Sequence, residues 1–132
     1  MGYAGAMRFE EGELAWLAET EEIEIETAGP GGPAHRTIIW VVVDGDEAFI
    51  RSVNGATARW YREATANPAV TIHSRRRVQP ERALEARTIA APDPDSVRRV
   101  NEALQRKYTG ITGLREMLEP GIFETTLRLE PA

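Results

Sequence analysis

The pattern of apolar and polar positions predicts a chain of short strands with helices between them. Residues 22–27 read E-I-E-I-E-T, a strict alternation that is typical of a half-exposed strand with its isoleucines on one face. The run from Thr37 to Val43 is apolar without alternation, which indicates a strand buried on both faces. The D-G-D sequence of residues 44–46 predicts a hairpin turn into a partner strand over residues 47–53.

Helices are predicted at three places. Residues 10–20 read as a short amphipathic helix, and residues 56–66 have helical propensity up to the stop at Pro68. Asp93 is a good N-cap for a third helix, because Pro94 suits the first helical position. The buried stripe of this helix and the remaining strands follow from periodicity: Val97, Val100 and Leu104, and strands near residues 69–74, 82–90 and 123–129.

This order of elements favours a mainly β fold with added helices. About six strands are predicted, and they do not alternate steadily with helices as in a doubly wound sheet. We therefore expect a six-stranded antiparallel barrel. A chain of 132 residues is expected to form one domain, residues 1–132, with an N-terminal helix at about 10–20 and the barrel at about 22–130.

The charge distribution points to a small anionic ligand. The formal net charge is −5, which argues against a nucleic-acid partner. Residues 10–26 hold eight Glu and no basic residue, whereas residues 36–77 hold seven Arg against four acidic residues. A local positive region in an acidic protein suits a small anion better than a polyanion.

Several classes are disfavoured by what the sequence lacks. There is no cysteine, so no thiolate chemistry is possible, and the histidines show no metal-ligand spacing, so no metal site is expected. No apolar run approaches the roughly 20 residues of a spanning helix, and no signal peptide is recognised at the start. We expect a cytoplasmic protein without a membrane partner.

Arg51 and Ser52 are candidate anion ligands because they end a predicted strand just before a Gly-bearing loop. A guanidinium, a hydroxyl and free backbone amides would bind a phosphate there. The alternative is an edge-strand arginine paired with Glu63 or Glu47. The run of three arginines at residues 75–77 has the same two interpretations, a grip on an anionic ligand or ion pairs with the Glu-rich N-terminal surface.

Aromatic and imidazole side chains give the candidate reaction groups. Trp60 could wall a ring-binding cleft, although a core position is the simpler interpretation, and Tyr61 could donate a proton to a substrate carbonyl. His35 lies in a predicted loop and could donate a proton near neutral pH, with a solvated loop histidine as the alternative.

Two blocks of sequence resemble the flavin-binding split-barrel superfamily. They are R-T-I-I-W-V-V-V-D-G-D with F-I-R-S-V-N-G, and R-W-Y-R-E-A-T-A-N-P-A-V-T-I, within a likeness that spans roughly Glu22 to the C-terminus. The superfamily includes pyridoxamine-phosphate oxidase-like and deazaflavin-dependent nitroreductase-like proteins, and this chain is similar to small bacterial members. The resemblance implies a six-stranded split barrel and a homodimer that binds FMN or a deazaflavin coenzyme across its interface.

Mapped onto this chain, the resemblance assigns most candidate residues to cofactor binding. Phosphate contacts would come from Arg36 and Thr37 at the entry of one strand and from Arg51 and Ser52 at the end of the next. Trp60 and Arg62 would also contact the cofactor, while Tyr61 or His35 would serve the reaction. W-Y-R followed by N-P is closer to the deazaflavin branch. A haem, with a histidine as axial ligand, is disfavoured but stays open because some split barrels bind haem.

These expectations lead to one functional hypothesis and two alternatives. The first is a flavin- or deazaflavin-dependent oxidoreductase that transfers hydride to or from a small organic substrate. The sequence departs from the family by G-P-G-G-P-A-H before Arg36, by Ile38 where many members have Pro, and by the lack of a basic residue at 54–58. These departures motivate the first alternative, a non-catalytic ligand-binding dimer of the same fold. The second alternative is a cofactor-independent enzyme that uses the cleft for acid–base work on a biosynthetic intermediate.

Overall fold

The computed structural model of the protein describes residues 8–132. Within this range the chain forms four α-helices, which are α1 Glu11–Glu19, α2 Arg59–Ala66, α3 Pro94–Tyr108 and α4 Leu114–Met117. The strands are β1 Ile23–Ala28, β2 Ala34–Ile39, β3 Val42–Asp44, β4 Glu47–Ile50, β5 Ala69–Ser74, β6 Ala83–Ala90 and β7 Leu127–Pro131. Short 3₁₀ helices occupy Gly55–Thr57 and Pro120–Thr125.

One antiparallel sheet, curled into a split barrel, contains all seven of these strands. Their order is β2-β1-β5-β6-β7-β4-β3, so β2 and β3 lie at opposite edges. Only Trp40 and Val41 separate these two strands in sequence. Because a linker of this length spans no more than about 11 Å, the sheet must curl until its edges approach each other.

The predicted fold class is confirmed, with one difference in strand count. The predicted strand from Thr37 to Val43 is two strands, since it breaks at Trp40 and Val41, and this raises the count from six to seven. The expectation that it is buried on both faces is wrong for its first half. The side chain of Ile38 is 48% exposed because β2 is an edge strand whose outer face no helix covers.

Other element boundaries also differ from the predicted ones. β4 ends at Ile50, so Arg51 and Ser52 lie just beyond the strand. The predicted helix over residues 56–66 begins with a separate 3₁₀ turn, and the last strand starts at Leu127 because a 3₁₀ helix occupies the preceding residues. The third helix begins as predicted, with the Asp93 carboxylate accepting the backbone N–H of Ser96 at 3.0 Å.

Two apolar clusters form the core. The cluster inside the barrel combines one face of each strand with α1 and α2 and includes Leu17, Ile23, Ile25, Ile50, Trp60, Ile72 and Leu127. The second cluster lies where α3 and α4 pack on β3 and β4 and includes Val42, Phe49, Val100, Leu104, Tyr108 and Met117. Val97, Val100 and Leu104 are buried, as the periodicity of α3 predicts.

The end of α3 satisfies the backbone groups that the strand break exposes. The Lys107 Nζ donates to the carbonyl oxygens of Val41 at 2.6 Å and Leu17 at 2.9 Å. The Tyr108 hydroxyl donates to Glu21 O at 2.7 Å and accepts the N–H of Val41 at 3.4 Å. Its ring stacks on Trp40, with centroids 3.9 Å apart. Buried backbone groups need such partners, so α3 closes the barrel where the strand breaks.

Candidate functional site

A cleft opens between β2, the end of β4 and the start of α2. Its volume is about 170 Å³, and its walls include Thr37, Ile39, Arg51, Asn54 and Trp60. Three of the predicted cofactor-binding residues, Thr37, Arg51 and Trp60, therefore line one cavity. They meet because the edge strand β2 runs past the loop that connects β4 to α2.

The rim of the cleft is apolar. The side chains of Ile38 and Val53 are 48% and 45% exposed. Both residues also line the cleft. A single chain thus offers a small cavity with an uncovered apolar margin, a feature that marks ligand or subunit contacts.

Arg51 is a buried residue with several hydrogen-bond partners within the chain, and its guanidinium is not freely exposed to a ligand. Its side chain is only 2% exposed. Its Nε donates to Thr126 Oγ1 at 3.0 Å, its Nη1 donates to Asn101 Oδ1 at 2.7 Å and to Met117 O at 2.9 Å, and its Nη2 lies 3.5 Å from Val97 O. All these acceptors are neutral groups of the same chain.

This arrangement corrects the interpretation of Arg51 as an arginine paired with Glu63 or Glu47, while its role as a phosphate contact stays a prediction. No carboxylate pairs with it in the described part of the chain, so neither Glu63 nor Glu47 is its partner. Burial lowers the pKa of Arg51 to about 10, because the charged form is poorly solvated. The Nε and Nη1 groups of Arg51 donate to other residues of the chain, including Asn101 of α3 and Met117 of α4. Only the Nη2 side of the guanidinium is left for the cleft.

Arg36 does not join Arg51. Arg36 lies on the opposite face of β2 from Thr37 and is not among the residues that line the cleft. The Arg36 guanidinium lies 3.7 Å from both Glu24 and Glu26, and the residue lines a different cavity, of about 250 Å³, with His73 and Arg82. The predicted pairing of the two arginines around one anionic group is therefore not formed within one chain.

Ser52 and Arg62 also lie away from the cleft. Ser52 is buried, where its hydroxyl donates to Gly55 O at 2.8 Å and its N–H donates to Thr125 Oγ1 at 3.1 Å. These bonds shape the loop before α2. Arg62 is exposed on α2 and is not among the residues that line the cleft.

The two aromatic candidates on α2 have different environments. Trp60 is 6% exposed and serves both as core and as a wall of the cleft. Tyr61 is half-buried, and its hydroxyl donates to Glu124 O at 3.5 Å. Burial, reinforced by the charge of Glu124, raises the pKa of Tyr61.

His35 is held by a carboxylate that sequence reasoning did not connect with it. It lies on β2 rather than in a loop, and its Nδ1 lies 3.2 and 3.3 Å from the two carboxylate oxygens of Glu63 on α2. The Thr27 hydroxyl donates to the same carboxylate at 2.8 Å. The sequence separation of 28 residues hides this pair, and only the alternation of β2 combined with the packing of α2 could have revealed it.

The arginine run at residues 75–77 contacts carboxylates, as one of its two interpretations expects. Arg75 Nη1 lies 2.5 Å from Glu22 Oε1, and the Arg76 side chain lies 3.4 Å from Glu24. Glu24 is buried beneath these arginines and Arg36. Burial alone would raise its pKa, but the Arg76 N–H and the three guanidinium groups outweigh this, so the pKa is lowered.

Residues 8–132 contain no group of three or more His, Asp or Glu side chains arranged to hold a metal ion. None of the helices in this range has the length and apolarity needed to cross a membrane.

Solved structures share this architecture. HutZ, the heme storage protein from Vibrio cholerae, superposes with a TM-score of 0.64 and 16% identity, covering 96% of this chain and 92% of that protein. An F420 reductase has a TM-score of 0.60 and 22% identity, with 94% and 96% covered. An FMN-binding protein from Syntrophomonas wolfei has a TM-score of 0.61 and 10% identity, with 92% and 84% covered.

Seven curled strands, with the helix after β4, give this chain the split-barrel fold that these proteins share. Such low identities establish the fold, whereas the ligand differs among these proteins. No curated protein sequence matches the chain. Residues 13–129 match the family described as "Uncharacterized protein conserved in bacteria (DUF2255)", and the chain belongs to that family.

Proposed function

We propose that this protein is a single-domain, homodimeric oxidoreductase that binds a flavin or deazaflavin in the cleft between β2 and α2. The observation that carries the proposal is the meeting of Thr37, Arg51 and Trp60 in one cavity beside an exposed apolar rim. Fold relatives that are named as an F420 reductase and an FMN-binding protein support it. When bound, such a cofactor supplies the hydride chemistry, and the chain supplies binding and orientation.

The residues of the cleft fit an aromatic cofactor with an anionic group. Trp60 offers a flat wall, and the Thr37 hydroxyl offers a hydrogen bond. Arg51 supplies a buried positive charge that no carboxylate of the described chain neutralises, and buried charges are normally paired. Its remaining Nη2 donor capacity, held only by a 3.5 Å contact to Val97 O, could be completed by a ligand anion.

The size of the cleft supports a homodimer. Its volume of about 170 Å³ is below the roughly 300–1,000 Å³ of most ligand pockets. One chain therefore encloses only part of a cofactor, and a second copy packed against Ile38 and Val53 would complete the pocket. Dimerisation would also bury the exposed apolar rim.

Equilibrium binding tests this proposal directly. The purified protein is titrated with FMN, with the deazaflavin F420 and with hemin, each followed by absorbance and by quenching of Trp fluorescence, while light scattering measures the molar mass. We expect binding of one flavin-type cofactor at micromolar concentration by a dimer. Absence of binding to FMN and F420 at tens of micromolar would contradict the proposal, and preferential binding of hemin would replace the cofactor by haem.

A matched pair of threonine variants locates the site. Thr37→Val removes a hydroxyl from the cleft, whereas Thr71→Val makes the same change on β5, outside it. Loss of one hydrogen bond to the cofactor should weaken binding about 5- to 10-fold in the first variant, equivalent to about 1 kcal/mol. Equal dissociation constants for the two variants would move the cofactor away from this cleft.

A second candidate function is a non-catalytic ligand-binding dimer of the same fold. It is favoured by the internal hydrogen bonds of Arg51 and Ser52, which leave a weaker phosphate grip than the sequence implied. Steady-state reduction of the bound cofactor by NADPH or of an added acceptor by the reduced cofactor distinguishes the two. Tight binding without turnover supports the binding module.

A further inference from the structure

We propose that His35 and Glu63 form a proton-transfer pair between β2 and α2, beside the cofactor cleft. In this pair His35 Nε2 exchanges the proton with the substrate, and Glu63 is the positioning residue that orients the imidazole. The reaction it serves rests on the proposed function, whereas the orientation of the ring by Glu63 does not.

The geometry fixes which nitrogen is used. Because an ionised carboxylate only accepts hydrogen bonds, Nδ1 at 3.2 and 3.3 Å from Glu63 must carry the hydrogen. In the neutral ring Nε2 is then a base, and in the protonated ring it is a donor. A histidine whose second nitrogen is fixed by a carboxylate is the usual arrangement of an acid–base group.

Three separate elements hold the pair in place. Thr27 of β1 donates to Glu63 Oε1 at 2.8 Å, His35 belongs to β2, and Glu63 belongs to α2. The side chain of Glu63 is 15% exposed and that of His35 is 29% exposed. The carboxylate is therefore sheltered, while the imidazole remains within reach of a bound molecule.

Glu63 is kept ionised by its surroundings. Burial alone would raise its pKa, but the hydrogen bonds from Thr27 and His35 and the charges of His35 and Arg59 lower it overall. An ionised Glu63 accepts the Nδ1–H of His35.

The pair lies on the same side of β2 as the cofactor cleft. His35 and Thr37 are two residues apart and share one face of the strand, about 6.6 Å from each other along it. On α2, Trp60 and Glu63 are three residues apart and therefore share one side of the helix. His35 and Glu63 thus lie on the same face of β2 and the same side of α2 as Thr37 and Trp60, which line the cleft.

His35 fits proton transfer better than Tyr61, the other candidate. The Tyr61 hydroxyl donates to Glu124 O, and its raised pKa makes it a weaker acid. Hydride addition to an unsaturated organic acceptor, such as an enone or a quinone, leaves an anion that takes one proton. The protonated His35 supplies that proton from Nε2, and the neutral ring recovers one from water.

The second described histidine provides an internal control. His73 binds Glu26 through the other ring nitrogen, with Nε2 2.7 Å from Glu26 Oε1. The two histidines are therefore expected to have opposite neutral tautomers, Nδ1–H in His35 and Nε2–H in His73. They are the only two histidines of the sequence, so their resonances are easily assigned.

Long-range ¹H–¹⁵N correlation spectra of protein labelled at histidine test the orientation. At a pH where both rings are neutral, we expect the Nδ1–H pattern for His35 and the Nε2–H pattern for His73. Glu63→Ala should shift His35 toward the Nε2–H form that free imidazole side chains prefer, whereas Glu63→Gln should preserve Nδ1–H because its amide oxygen accepts. Glu26→Ala is the matched control and should change His73 alone. A His35 tautomer that is unchanged in Glu63→Ala overturns the positioning role.

Turnover tests the proton-transfer role. With F420H₂ or reduced FMN as donor and 2-cyclohexenone or menadione as acceptor, His35→Gln should lower kcat/KM about 100-fold or more. Its affinity for the cofactor and its circular dichroism should equal those of the wild type, and His73→Gln should keep the wild-type rate. A wild-type rate in His35→Gln, or no reduction of either acceptor by the wild type, overturns the role. Failure of the proposed function appears separately, as absent cofactor binding with the tautomers as predicted.

Discussion

Two groups of cationic side chains are stabilised in opposite ways in this molecule. The closed end is the part of the barrel against which α3 packs. There Arg51 and Lys107 donate to neutral oxygens, mostly backbone carbonyls. On the outer face of β1, the guanidinium groups of Arg36, Arg75 and Arg76 surround the carboxylate of Glu24. The first group depends on fixed dipoles in a buried site, and the second depends on opposite charges nearer to solvent.

This difference determines how strongly the stability of the fold depends on each cation. Fixed dipoles satisfy Arg51 and Lys107 only in one arrangement, so their loss leaves buried carbonyl groups without donors. The outer-face arginines exchange partners more easily because they are partly exposed and screened by salt. Arg51 lines the cleft between β2 and α2 together with Thr37, whereas none of the three outer-face arginines does.

Replacement of Arg51 should give the largest effect on stability. Arg51→Met removes the donors for Asn101, Met117 and Thr126 at a buried position and should lower the free energy of unfolding by about 3 kcal/mol. Arg36→Met is the matched control on the outer face and should cost less than about 1 kcal/mol. Urea denaturation followed by Trp fluorescence measures both values.

If Arg51→Met is too unstable to purify, Arg51→Lys keeps the charge but supplies fewer donors in a different geometry. It should lie between the wild type and the methionine variant. Equal unfolding free energies for Arg51→Met and Arg36→Met would mean that the closed end does not depend on the guanidinium.

The sequence predicted the fold better than the site, and these two arginines show why. Alternation, turn residues and the Asp93 cap depend on neighbours along the chain, so they locate strands and helices correctly. The hydrogen bonds of Arg51 depend on Asn101 and Met117, which are 50 and 66 residues away along the chain. The packing of α3 and α4 brings both residues to Arg51. No local pattern reports such packing. The resemblance predicted which residues would bind a cofactor, and the structure showed which of them already form hydrogen bonds within the chain.

The carboxylate at the centre of the outer face should give an intermediate effect that depends on pH and salt. Glu24→Gln leaves three guanidinium groups without their common counter-ion and should cost about 1–2 kcal/mol at neutral pH and low salt. Because the pKa of Glu24 is lowered in the folded state, its contribution is present above its ordinary value of 4.5 and is lost as the pH falls below it.

The difference between wild type and Glu24→Gln should therefore shrink in acid and in high salt. Unfolding free energies at pH 7 and pH 4, each at low and at 0.5 M salt, measure this. Glu85→Gln, on the exposed face of β6, is the matched control and should change little. A cost for Glu24→Gln that is independent of both pH and salt would place Glu24 with the dipole-bound groups instead.

Lys107 gives an effect whose dependence on pH has a sign that distinguishes the closed end from the outer face. Burial lowers the pKa of Lys107 to about 8, whereas the unfolded chain keeps the ordinary value of 10.5. Between these values the unfolded state binds more protons, so the free energy of unfolding should rise with pH. Tyr108, whose pKa burial raises, reduces stability only above its ordinary value of 10, which leaves pH 8–10 as the useful window.

Lys107→Met should remove the rise over this window, while Arg106→Met, its exposed neighbour, should retain it. A rise that persists in Lys107→Met would mean that the amine is solvated in the folded protein and that the strand break is held by Tyr108 alone.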